Sequence, residues 1–176
     1  MEAGTQLVTM RIADVWSSPN EAGEPCQYAM VLEEVDGPRS LLIGVEPLTA
    51  VEMALYLVRV QPPRPLTYAL IADLLGTGGG ELRGVRFEQL VDDILLAIAV
   101  VEGAKGIRNV YARPADALAL ALVAGSPIEV DPAVLADSSS HSHLSPRHRS
   151  GGKFAEGAAN IAMFVMAEWP TRYSTP

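Results

Sequence analysis

The sequence predicts an α+β protein made of duplicated β-β-β-α units, packed as a three-layer β/α/β sandwich with an extra short helix between the repeats. Strand-like stretches come in two blocks of three, and each block runs into a helix that opens at a proline, Pro47 or Pro114. The two blocks overlay at a constant offset of 67 residues, with no gap from the second strand to the end of the helix. Val45-Glu46-Pro47 then falls on Ala112-Arg113-Pro114, Ala50-Val51 on Ala117-Leu118, and Met53-Ala54-Leu55 on Leu120-Ala121-Leu122, so a charge-proline pair recurs at both strand-to-helix junctions. The second of these helices carries Ala117, Leu118, Ala119, Leu120, Ala121, Leu122 and Val123. A helix apolar on all sides needs cover on more than one side, and two small sheets with the helices between them supply it.

Each element has its own local cause. Val8, Met10 and Ile12 alternate with polar residues and mark a first strand to about Trp16, ended by a Ser-, Pro-, Asn- and Gly-rich loop over residues 17–25. A second strand over residues 27–33 meets a third over 40–45 across the turn Asp36-Gly37-Pro38. The helix from Pro47 places Leu48, Val51, Leu55 and Val58 on an apolar stripe and Thr49, Glu52, Tyr56 and Arg59 on a more polar face. Gln61-Pro62-Pro63-Arg64-Pro65 is a stiff connector. It leads to a short helix with Leu66, Leu70, Ile71, Leu74 and Leu75 at helical spacing, stopped by Gly76 and Gly78-Gly79-Gly80. Those glycines follow a helix instead of preceding one, so they read as a turn and not as a phosphate cradle. Strands over 82–90, 94–102 and 107–112 follow, joined at Asp92-Asp93 and at residues 103–106. After the Pro114 helix come a short strand within residues 125–130 and a small helix with Asp131 as N-cap and Pro132 at its first position.

Residues 1–136 therefore form one domain, with repeats at about 6–59 and 82–124; residues 137–153 read as a flexible linker and 154–176 as a C-terminal helix and tail. All three histidines, His141, His143 and His148, lie in the linker, where a solvated segment is the simpler reading than a metal site. The final segment, with Phe154, Ala158, Ile161, Met163, Phe164, Val165 and Met166, suits docking on its own domain, on a twofold mate or on a protein partner. The lone Cys26 excludes an intramolecular disulfide and reads as packing in a reducing compartment. The start of the chain carries no basic, apolar leader, and its longest apolar run, residues 94–101, falls well short of the ~20 residues needed to span a bilayer. A cytoplasmic location without membrane contact is expected. Lys and Arg number 9 against 18 Asp and Glu in residues 1–136, so any nucleic-acid contact must be local instead of spread over a basic stripe.

Taken in order over about residues 6–136, the segments Ile43-Gly44, Ala50-Val51, Pro63-Arg64-Pro65-Leu66-Thr67, Ala112-Arg113-Pro114-Ala115-Asp116-Ala117-Leu118-Ala119-Leu120-Ala121 and Pro127-Ile128-Glu129-Val130 resemble the bifunctional nuclease family, the DNase/RNase-type domain of bacteria and plants. The resemblance implies a duplicated three-strand-plus-helix domain that tends to form homodimers. It also implies low-specificity hydrolysis of DNA and RNA phosphodiesters, assisted by a divalent cation such as Mg²⁺ held by carboxylates.

On that resemblance the candidate catalytic residues are Arg64, Thr67, Tyr68, Arg113 and Asp116, with Arg64 and Arg113 as phosphate forks. The candidate metal ligands are Asp116, Glu46 and Glu52, with Asp73 behind them; no other cofactor is implied. Each has a plainer role beside it. Asp116 suits the first turn of its helix through the dipole, Glu46 and Arg113 suit a pair across the repeat axis, Arg64 suits bracing its loop, and Thr67 and Tyr68 suit capping and packing the short helix. Where the family motif continues His-Asp, this chain has Tyr68-Ala69; the family's Ser before the Asp is Ala115, and its Gly-x-x-Glu appears as Gly44-Val45-Glu46-Pro47. Those differences support a second reading, a catalytically silent regulatory or protein-interaction module on the same fold.

Overall fold

The computed structural model describes residues 6–17, 27–91 and 94–138. Cys26, most of the loop before it, Asp92-Asp93, the histidines and the C-terminal segment lie outside the described residues. The strands and helices follow the predicted order: β1 (Val8–Ser17), β2 (Tyr28–Glu34), β3 (Ser40–Val45), α1 (Pro47–Leu57), α2 (Thr67–Thr77), β4 (Glu81–Val91), β5 (Ile94–Gly103), β6 (Gly106–Ala112), α3 (Pro114–Ala124), β7 (Ile128–Val130) and α4 (Pro132–Ser138). The Asp131 carboxylate accepts the Ala133 N–H at 2.8 Å and so caps α4 as its position predicts.

Two antiparallel meanders, β1-β2-β3 and β4-β5-β6, carry the period-two pattern: in β3, Leu41 and Ile43 are buried while Leu42 and Gly44 face out. From sequence they are two small sheets, yet the hydrogen bonding runs through all seven strands in the order β3-β2-β1-β7-β4-β5-β6. The three-residue β7 is the joint. It pairs antiparallel with β1 (Met10↔Ile128) and parallel with β4 (Phe87↔Val130). Without it the inner edges of β1 and β4 would each leave backbone groups unpaired.

The core gathers from both meanders and the helices: Phe87, Met30, Leu32, Met53, Leu118, Val15, Val85 and Val130 are fully buried. Burying each such side chain contributes about 1.5–3 kcal/mol. As its composition requires, α3 is enclosed, with Ala117, Leu118, Ala119 and Ala121 buried.

The helices α1 and α2 depart from their predicted faces. In α1 the buried residues are Thr49, Ala50, Glu52, Met53, Ala54 and Leu55, and Leu48 is 84% exposed. The polar pair turns inward because α2 supplies partners for it, as described below. In α2 only Tyr68 is buried, and Leu70, Ile71 and Leu74 are exposed, because the helix packs on α3 and β4 through the opposite side.

All three longer helices end alike. A residue with positive φ follows the last turn, Arg59 (φ 58°), Gly79 (φ 71°) or Gly125 (φ 65°), and the next N–H reaches back to a carbonyl five residues earlier. Those bonds are Val60 to Leu55 at 3.0 Å, Gly80 to Leu75 at 2.9 Å and Ser126 to Ala121 at 3.0 Å. The helices α1 and α3 begin and end 67 residues apart, and only the left-handed residue that follows is displaced by one, Arg59 and Gly125 being 66 apart.

Candidate functional site

At the ends of β3 and β6 the chain turns directly into α1 and α3. The N-cap residues Glu46 (φ −72°, ψ 152°) and Arg113 (φ −66°, ψ 143°) keep extended backbone, and Pro47 and Pro114 begin the helices with the φ the first turn requires. Both helix N-termini line one open cleft of about 820 Å³, with Tyr28, Leu42, Leu95 and the end of β3 as its apolar wall. First-turn amides have no intrahelical acceptor, and neither N-cap side chain bonds them. Two positive dipole ends therefore face the same space.

Across this cleft the repeat-equivalent residues meet. Arg113 Nη1 donates to Glu46 Oε1 at 3.1 Å, the pairing expected if the two positions are related by the repeat. The same guanidinium grips Asp116 side-on, Nε to Oδ2 at 2.6 Å and Nη2 to Oδ1 at 3.1 Å. Those bonds hold the Asp116 carboxyl below its ordinary range, with help from Tyr68, and the two carboxylates raise Arg113 further above its own. Asp116 is thus ionised at neutral pH. Arg113 and Glu46 are largely exposed, at 68% and 71%, so water screens their attraction and the pair shapes the cleft more than it stabilises the fold.

Beneath the charged layer lies a buried polar one. The Tyr68 hydroxyl, on α2, donates to Asp116 Oδ1 at 2.7 Å, and the Thr49 hydroxyl, on α1, bonds the same phenol. Burial, together with the Asp116 charge, pushes the Tyr68 phenol up, so it remains a donor. Glu52, one turn along α1, accepts the backbone N–H of Tyr68 at 2.9 Å and that of Thr67. Leu66 has no side chain able to cap α2, and this carboxylate from the neighbouring helix does so instead. Burial nevertheless raises the Glu52 carboxyl, because the amide bonds only partly offset its lost hydration.

Of the sequence-predicted residues, Arg113, Asp116, Glu46 and Tyr68 form one connected chain of hydrogen bonds. Arg64 is exposed on the connector before α2 and is not part of the cleft lining. Thr67 contributes its backbone N–H to Glu52, and its side chain sits at the exposed start of α2. The metal set does not assemble as expected. Glu46 and Asp116 share the Arg113 guanidinium between them, Glu52 is turned to the α2 amides, and among the described residues no three His, Cys, Asp or Glu side chains form a group able to hold a metal ion. The residues present do not fit a carboxylate-held divalent ion. Thr49 escapes a sequence reading because it falls on what looks like the polar face of α1; its only signal is its place two residues after Pro47, at the mouth of the cleft.

The fold and site define a mixed α+β domain in which two proline-opened helices meet at one cleft, α1 bringing Glu46 and α3 bringing Arg113 and Asp116. Residues 30–143 match the bifunctional nuclease domain, and the chain belongs to that family. Two uncharacterized proteins of Mycobacterium tuberculosis, MT1877 of strain CDC 1551 / Oshkosh and Rv1829 of strain H37Rv, are each 40% identical to it over 110 residues. The shared stretch is 62% of this chain and spans 65% of theirs. Among the described residues no helix is long and apolar enough to cross a membrane.

Proposed function

We propose that this chain is a nuclease that hydrolyses DNA and RNA phosphodiesters with little sequence preference, acting in the cleft between the starts of α1 and α3. The observation that carries this reading is the convergence of two helix N-termini with Arg113 and Asp116 in one open cleft of a bifunctional nuclease domain. The first-turn amides and the guanidinium N–H groups not used by Glu46 and Asp116 suit a phosphodiester oxygen. Asp116, ionised and held from two sides, is placed to orient an attacking water. We also read the meander-plus-helix units as copies of one ancestral unit enclosing the helices from two sides, which accounts for a site whose halves come from equivalent positions. A cytoplasmic dimer that meets nucleic acid locally fits the acidic charge of the domain.

The test is cleavage of supercoiled plasmid and of RNA by the purified chain. Activity on both, reduced at least ~100-fold in Arg113→Ala and Asp116→Ala, is the expected result for lost charge stabilisation and positioning. Cleavage that persists unchanged in both variants points to a contaminant and sinks the reading.

A second reading is a catalytically silent interaction module, favoured by the exposed Leu70, Ile71 and Leu74 on α2 and by Tyr68-Ala69 at the positions of the family's His-Asp. Restoring that pair with Tyr68→His and Ala69→Asp separates the two. A silent site gains cleavage on restoration; an intact one cuts at least as well before it.

A further inference from the structure

We propose that Arg113 is the resident cation of the cleft, occupying the place between Glu46 and Asp116 that a divalent ion would need, so that the native chain excludes such ions from its site. The claim concerns binding and stands apart from whether the chain cuts nucleic acid.

The bonding around the guanidinium carries it. Both Asp116 oxygens are engaged: Oδ2 by Nε at 2.6 Å, and Oδ1 by Nη2 at 3.1 Å and by the Tyr68 hydroxyl at 2.7 Å. Glu46 Oε1 takes Nη1 at 3.1 Å. A magnesium- or manganese-type ion needs oxygen lone pairs at close to 2.1 Å in near-octahedral array. Here the guanidinium and the Tyr68 hydroxyl already take three of the four Asp116 acceptor sites and the guanidinium takes one Glu46 oxygen, and the ion would have to settle within a few ångströms of a permanent positive charge. The guanidinium cannot be titrated away to make room. It is also fixed by the chain at the N-cap of α3, so it competes as an intramolecular ligand at every concentration of free metal.

Further carboxylates do not tip the balance. Glu52, on the same helix as the cleft-lining Thr49, spends its carboxylate on the Thr67 and Tyr68 amides, and among the described residues no third acidic or imidazole group joins Glu46 and Asp116. Of the five N–H groups of Arg113, three are engaged by the two carboxylates. The other two leave the same cation able to take an anionic ligand directly, the service a bound metal would otherwise perform.

Removing the cation while keeping the carboxylates turns this into a measurement. Mn²⁺ is titrated into the full chain at pH 7 and low ionic strength, with free Mn²⁺ followed by its electron paramagnetic resonance signal. The proteins compared are the native chain, Arg113→Lys, Arg113→Met, Arg113→Gln, and Arg113→Met combined with Glu46→Gln and Asp116→Asn. The expected result is that the native chain and Arg113→Lys show no saturable site below ~1 mM, a weak-site limit for few-carboxylate ligation. Arg113→Met and Arg113→Gln each gain one site, about tenfold or more tighter, as a repelling unit charge is removed. That gain disappears in the combined variant. Binding by the linker histidines is common to all five and cancels. Two results overturn the proposal: saturable Mn²⁺ binding below ~1 mM by the native chain that is absent from the combined variant, or no gain in whichever arginine variants keep the native far-ultraviolet circular dichroism.

Discussion

Tyr68 is where three helices are tied through single atoms, since its hydroxyl on α2 meets Thr49 on α1 and Asp116 on α3. Tyr68→Phe keeps the ring and removes the bonds, so it should cost about 1–2 kcal/mol in urea unfolding, the usual value for a buried hydroxyl whose partners lose their bond. It should also let the Asp116 carboxyl titrate at higher pH, because the phenol is one of the groups holding it down. The buried Glu52 and the half-buried Asp116 pull stability in opposite senses with pH. Glu52 is raised in the fold, so its favourable contribution is complete below the unfolded value of about 4.3 and is lost as pH climbs through the folded one. The advantage of the native chain over Glu52→Gln should therefore shrink as pH rises through the weakly acidic range. Asp116 is lowered, so its contribution holds above about 3.9 and disappears as pH falls through the folded value. Its advantage over Asp116→Asn should vanish only in acid. Urea midpoints measured across pH for the three proteins check both slopes, and slopes of the same sign would contradict the assigned environments.

Helix termini were more legible in the sequence than helix faces. Prolines mark where α1, α3 and α4 begin, and glycines mark where α2 and α3 end, because both residues act through the local backbone. The faces of α1 and α2 depend on what lies across from them. Thr49 and Glu52 look like a solvent face until α2 brings an amide pair and a phenol to meet them, and no spacing rule within α1 carries that information. The end of α1 is the exception among the termini, since Arg59 takes the left-handed backbone that Gly79 and Gly125 take in the other two. A non-glycine residue there costs about 1–2 kcal/mol, while glycine gives the unfolded chain extra freedom whose loss on folding costs about 0.4–1 kcal/mol. Arg59→Gly should accordingly stabilise the chain by some 0.5–1 kcal/mol. Gly125→Ala should destabilise it by about 1 kcal/mol, with open space around the added methyl leaving backbone strain as the cause. Midpoints moving the other way would mean that the side chain of Arg59 holds the turn.

For the molecule as a whole, all seven described strands were readable because the apolar pattern is a property of one strand at a time, whereas the partners of a strand are not. Ile128-Glu129-Val130 looks like a minor strand, and it turns out to be hydrogen-bonded on both edges, to β1 and to β4. The geometry of the site was legible to the same degree: Glu46, Arg113 and Asp116 could be singled out by repeat position and motif, while the place of Arg64 outside the cleft lining depends on where the connector runs between α1 and α2. A seam this narrow makes a prediction about cooperativity. Val130 is fully buried and pairs with Val8 on one side and Phe87 on the other, so each meander leans on it. Val130→Ala leaves a cavity at that shared point, at a cost of about 1–3 kcal/mol. If the seven strands unfold as one unit, native-state hydrogen exchange should show protection falling by the same amount in the central strands β2 and β5, which touch neither β7 nor each other in the strand order. A loss confined to one meander would show that the two halves hold together independently and that β7 merely rests between them.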